Sequence, residues 1–186
     1  IEDLIIVAIP HAFGGRREEY APTVMFDDVG AGAAAYTRFL VEEVMPRVER
    51  AFRVKRGSEH TGIGGSSMGA LVSLYAATEH PELFGKVICF SPALMIKDKA
   101  PLKFFATRTK WPDAVYFVMG GKEAGTDPAD EATNQQYVAA AREFDKLLGS
   151  KVLLHKTTID PGAVHNETSW NTWMEGALSF CFARRE

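Results

Sequence analysis

The sequence has 186 residues, 46% hydrophobic and 24% charged, with a formal net charge of −3. That balance fits a globular chain, read as one domain over 1–186 and long enough to bury a sizeable core. The mild acidity gives no electrostatic reason to bind nucleic acid or an anionic membrane, and no stretch approaches the roughly 20 apolar residues that span a bilayer.

Leu4 to Ile9 is a continuous apolar run ending at Pro10, the pattern of a strand buried on both faces. A strand there, rather than a leader peptide, stands beside residue 1, and what a longer precursor carries stays open. Residues 10–32, rich in Gly, Pro, Asp and Arg, read as a long loop. Tyr36, Leu40, Val44, Val48 and Phe52 recur every fourth residue and predict a helix over 33–52, with Pro46 as a point of bending. Thr61 to Ile63 reads as a short strand, Met68 to Glu79 as a helix stopped by His80-Pro81, and Lys86 to Phe90 as the next strand. Residues 92–112 read as irregular. A strand over 114–119, a helix over 130–148 closed by Gly149, a strand over 152–158 and a helix over 168–183 complete the chain. Strands alternating with helices at this rhythm predict an α/β fold, a mostly parallel sheet with helices on both faces. The two cysteines, Cys89 and Cys181, lie in apolar stretches and read as buried thiols, which leaves the redox compartment open. The sequence leaves cytoplasmic and secreted locations, and every oligomeric state, open.

Between a strand signal and a helix signal stands Gly65-Ser66-Ser67-Met68-Gly69, a G-x-S-x-G turn. Such a turn holds the serine strained above the carboxyl edge of a sheet, and glycines let neighbouring backbone pass close by. The N–H of Met68 is then placed to donate to a developing oxyanion, helped by the field of the helix N-terminus. A phosphate-binding P-loop needs Lys-Ser or Lys-Thr after its last glycine, and none is present. A dinucleotide turn starting at Gly62 needs glycine or alanine where Ser67 stands.

A serine nucleophile needs a base. The order serine, acid, histidine selects His165, in the segment Asp160 to His165 between the last strand and the last helix. His155 falls inside a strand, His80 at a helix end, and His11 and His60 precede the serine. None of these pairs has metal-ligand spacing, so neither a metal nor an organic cofactor is implied. For the acid, Glu123 comes soonest after the strand over 114–119, with Asp127, Asp130 and the more remote Asp160 as alternatives. Arg17, Tyr20 and Trp170 are candidates for a substrate pocket, each equally readable as structural.

Ile63 to Gly69, His80-Pro81-Glu82-Leu83-Phe84 and Ser91-Pro92 resemble the Putative esterase family of α/β-hydrolases, which holds enterochelin-esterase-like enzymes, feruloyl esterases, S-formylglutathione hydrolases and antigen 85 mycolyltransferases. Arg17 to Pro22 and His165 to Trp170 are similar to its enterochelin-esterase-like branch. The resemblance implies a serine esterase acting on a small-molecule ester, with Ser67 as nucleophile, His165 as base and Glu123 at the acid position of a Gly-x-x-Asp/Glu segment. It also implies earlier strands and an upstream loop giving a second oxyanion donor. Leu4 to Ile9 matches a later strand of that family. Either this chain is a fragment or trimmed product, or His11 to Gly15 substitutes. A non-catalytic binding protein of the same fold and an acyltransferase using the same residues are the rival functions.

Overall fold

The computed structural model describes residues 1, 3–26 and 29–184. Its centre is a four-stranded parallel sheet in the order β3-β4-β5-β6, built from Gly62–Ser66, Lys86–Phe90, Ala114–Lys122 and Leu154–Val164. The period-two alternation of a strand sends successive side chains to opposite faces. Val87, Cys89, Val115, Phe117 and Met119 therefore join one cluster with α4 (Met68–Glu79) and α6 (Glu131–Lys151). Phe90, Tyr116 and Val118 point the other way, onto Trp173, Ala177 and Cys181 of α7 (Glu167–Phe182). The predicted parallel sheet with helices on both faces is what the chain forms. α4 carries Leu71, Val72, Leu74, Ala76 and Ala77 buried around most of its circumference, as a helix packed on several sides must.

Cys89 and Cys181 are both free and buried, on opposite faces of the sheet. Burial pushes the Cys89 thiol far up and the Cys181 thiol up to about 12, so both remain neutral thiols.

Elsewhere the structure departs from the expectations. Leu4 to Ile9 forms no strand; Ile5, Ile6 and Val7 are exposed, Ile6 to 77%. An apolar run supplies a strand's side chains but not its neighbour, and no strand lies beside this one among the described residues. The segment is tied at its end by Tyr36, whose hydroxyl donates to Ile9 O at 3.3 Å. The loop over 10–32 contains a short helix, α1 (Arg16–Glu19), and an antiparallel pair of strands, β1 (Val24–Phe26) and β2 (Val29–Gly30). The helix over 33–52 is α2 (Ala33–Phe39) and α3 (Met45–Ala51) joined through a π turn at Leu40–Val44. Pro46 has no N–H to donate into an α turn, and the ladder widens just ahead of it. The region 92–112 holds α5 (Ile96–Ala106), entered through three left-handed residues, Lys97, Asp98 and Lys99. α6 runs past Gly149 to Lys151, and β6 continues six residues beyond Thr158, to Val164. Among the described residues no helix is long and apolar enough to cross a membrane.

Candidate active site

Each strand of a parallel sheet delivers its carboxyl end to the same edge, and residues following those ends meet there. β3 delivers Ser67. Its φ of 56° and ψ of −123° lie outside the regions open to ordinary L-residues, so the turn is strained. The strain is held by its neighbours: Ser67 N donates to Phe90 O at 2.8 Å, and α4 begins on the next residue. Serine is among the best helix-capping residues, yet Ser67, at the N-cap of α4, makes no side-chain cap bond. Its hydroxyl is left for other chemistry. Met68 opens the helix with its N–H among those that have no partner within the helix.

Gly65 makes this turn possible. A Cβ there stands 2.6 Å from the carbonyl carbon of Gly69 and 2.7 Å from its oxygen, backbone atoms that cannot swing aside. At Gly69 a Cβ meets only the Tyr20 ring, at 4.0 Å. Opposite results follow in thermal unfolding. Gly65→Ala lowers stability by about 1–3 kcal/mol through overpacking. Gly69→Ala leaves it unchanged or raises it by up to about 1 kcal/mol through helix propensity.

β5 delivers Glu123 and β6 delivers His165. Glycines again permit the approach: a Cβ on Gly120 lies 2.5 Å from Ala163 O, and one on Gly121 lies 2.6 Å from Pro161 O. With no side chains there, β6 pairs on past an irregularity, Lys122 opposite Val164, and brings His165 over the acid. Glu123 Oε2 accepts a hydrogen bond from His165 Nδ1. The carboxylate is wholly buried (0% exposed), while the imidazole is nearly one-third exposed. Glu123 Oε1 accepts from Gly120 N and from Ser91 Oγ, each at 2.6 Å. A buried carboxylate is tolerable when its lone pairs are met this way. The loop after the acid is pinned by Asn134, which accepts from Ala124 N at 2.8 Å and donates to Gly125 O at 2.9 Å.

The other carboxylates have different partners. Asp127 accepts from Ala129 N, and Asp160 accepts from Gly162 N and Trp173 Nε1. Asp130 stands at the N-cap of α6 with its Oδ2 turned toward Gly125. His155, near the start of β6 and so at the opposite end of that strand from His165, pairs with Asp145 of α6. Among the described residues no hydrogen bond joins Ser67 to His165. Arg17 is exposed and lies over the Phe26 ring at 5.2 Å. Tyr20 is in the core, its hydroxyl 3.4 Å from that of Tyr36. Trp170 donates from Nε1 to Ser91 Oγ at 3.1 Å and meets the His165 ring edge-on. In the His11 to Gly15 turn, Ala12 N is committed to Glu19 and Gly15 N to Ala12 O. A hollow of about 300 Å³ between Gly121 and the α6 residues Asn134, Val138 and Arg142 includes neither Ser67 nor His165. Among the described residues no cluster of His, Cys, Asp and Glu is able to hold a metal ion.

Sequence reasoning gave Ser91 no role. The available signal was position: it is the first residue past β4, at the same edge that carries the serine, acid and histidine.

A parallel α/β sheet with a strained serine turn at its carboxyl edge and an acid–histidine pair beyond it is an α/β-hydrolase architecture. The chain belongs to the Putative esterase family, whose profile matches residues 1–181. It is similar to the uncharacterized protein YbbA of Bacillus subtilis (strain 168), 22% identical over 193 residues covering 99% of this chain and 75% of that protein. Its fold is similar to that of the BES protein from Bacillus cereus, with a TM-score of 0.71, 18% identity and 92% of this chain covered. It is similar too to the siderophore hydrolase EstB from Aspergillus nidulans, with a TM-score of 0.67, 19% identity, 92% of this chain and 67% of that one. The chain spans 64% of the length of the BES protein.

Proposed function

We propose that the protein is a serine carboxylic-ester hydrolase acting on a small-molecule ester through an acyl-enzyme on Ser67. The observation that carries this reading is the bond between buried Glu123 and His165, at the same sheet edge as a strained serine whose hydroxyl caps nothing. With its Nδ1 proton engaged by the carboxylate, His165 keeps the Nε2 lone pair for the Ser67 proton. Ser67 Oγ attacks the ester carbonyl carbon as that proton passes to His165. The oxyanion forms beside Met68 N–H at the start of α4, where the helix field favours negative charge. The imidazolium then protonates the departing alcohol, and water repeats the sequence to release the acid. Family membership and the likeness to EstB, by its name a siderophore hydrolase, support ester cleavage as the reaction class.

The test compares wild type and Ser67→Ala for labelling by a fluorophosphonate probe and for turnover of p-nitrophenyl acetate. Labelling confined to the wild type supports the reading. Equal labelling and equal turnover by the two proteins sinks it.

A further inference from the structure

Ser91 is the residue whose chemistry the triad does not absorb. It is buried, and its φ of 45° is one that a non-glycine residue adopts only when its surroundings impose it. Its N–H donates to Val118 O at 2.8 Å, which fixes the backbone between β4 and β5. The side chain has two partners, and their chemistry sets the direction of both bonds. An indole N–H can only donate, and an ionised carboxylate can only accept. Ser91 Oγ therefore accepts from Trp170 Nε1 at 3.1 Å and donates to Glu123 Oε1 at 2.6 Å.

The geometry points to Ser91, backed by Trp170, as a positioning residue that orients the Glu123 carboxylate toward His165, an inference that rests on the triad reading above. Rotation about the last bond of a free glutamate exchanges its two oxygens. Here Oε1 is taken by Ser91 and Gly120 N, so Oε2 alone is left for the imidazole. Trp170 also packs edge-on against the His165 ring, 5.2 Å between centroids, and so touches the base directly and the acid through Ser91. Tyr137 of α6 faces the same carboxylate; burial first, and the Glu123 charge second, push its hydroxyl up, so it stays neutral. Without the Ser91 donor, Oε1 keeps only Gly120 N, and the carboxylate is free to turn away from the imidazole.

The test uses Ser91→Gly, which removes the hydroxyl at a φ that glycine tolerates, and Ser91→Cys, which keeps a weak donor. Fluorophosphonate labelling rates and kcat and KM on p-nitrophenyl acetate are measured for each variant and the wild type. In Ser91→Gly, labelling and kcat fall roughly tenfold, with KM within about twofold of wild type. Ser91→Cys lies between, and Trp170→Phe, which loses the N–H but keeps a ring against His165, shows a smaller loss than Ser91→Gly. An unchanged Ser91→Gly protein overturns the inference. So does a loss carried by KM, or one that Ser91→Cys does not partly recover, because a general packing defect behaves that way. If the wild type is labelled at Ser67 and Ser91→Gly is normal, this inference alone fails; if Ser67→Ala is labelled like the wild type, the triad reading fails first.

Discussion

Replacing His165 by alanine lowers ester turnover on the order of 10⁴- to 10⁶-fold, and adding Ser67→Ala to it removes almost nothing more. Groups that move one proton in one step act as a unit, so their losses do not multiply. Without the imidazole, Ser67 must attack as a neutral alcohol. Without the serine, the imidazole has no proton to accept. What survives in either single variant is the activity of the surrounding site toward water, and the double variant keeps the same residue. The fold tolerates the change. Glu123 Oε2 loses its donor, but the imidazole is nearly one-third exposed, so water enters in its place. The cost is about 1–2 kcal/mol of stability, visible as a lower thermal midpoint. The check is kcat/KM on p-nitrophenyl acetate for both single variants and the double. If the double variant shows the product of the two losses, the residues act independently and the shared mechanism falls.

How much of this was legible in the sequence depends on whether the deciding contacts are local. β4 and β5 were readable because their side chains are buried on both faces, which leaves an unbroken apolar run in the sequence. The serine turn was readable because Gly65, Ser67 and the start of α4 lie within a few residues of one another. Leu4 to Ile9 looked the same as a buried strand and is not one, because a strand requires a partner that its own residues do not name. α5 was hidden by Pro101 and by the left-handed entry over Lys97 to Lys99, which break the helical pattern. The end of β6 was hidden by Pro161-Gly162, a turn signal in isolation. It is overridden by Gly120 and Gly121, more than 35 residues earlier, whose missing side chains let the backbones close. The candidate site divides the same way. Chain order pointed to His165, and nearness to a strand end pointed to Glu123. The Ser91–Trp170 link spans 79 positions and exists only in the folded chain.

Replacing Glu123 by glutamine gives the cleanest separation of orientation from folding, with turnover down by roughly 10³- to 10⁴-fold and stability nearly retained. Glutamine has the same shape. Its carbonyl oxygen takes the place of Oε1, accepting from Ser91 Oγ and Gly120 N, and satisfying both of those neutral donors is the strongest local demand. Its NH₂ then occupies the place of Oε2 and donates toward His165 Nδ1. To accept, Nδ1 must be unprotonated, and the ring proton moves to Nε2, where the Ser67 proton needs a lone pair. The imidazole is in place but in the wrong tautomer. The opposite amide orientation sets an NH₂ against two buried donors, a penalty of about 1–3 kcal/mol for each group left unpaired. Glu123→Leu has no orientation that satisfies them, so it loses both activity and stability. Thermal unfolding with kcat/KM distinguishes the cases. A glutamine variant that keeps more than about a tenth of wild-type turnover removes Glu123 from the mechanism. One that is stable yet nearly inactive identifies the carboxylate's work as holding the histidine's proton on the correct nitrogen.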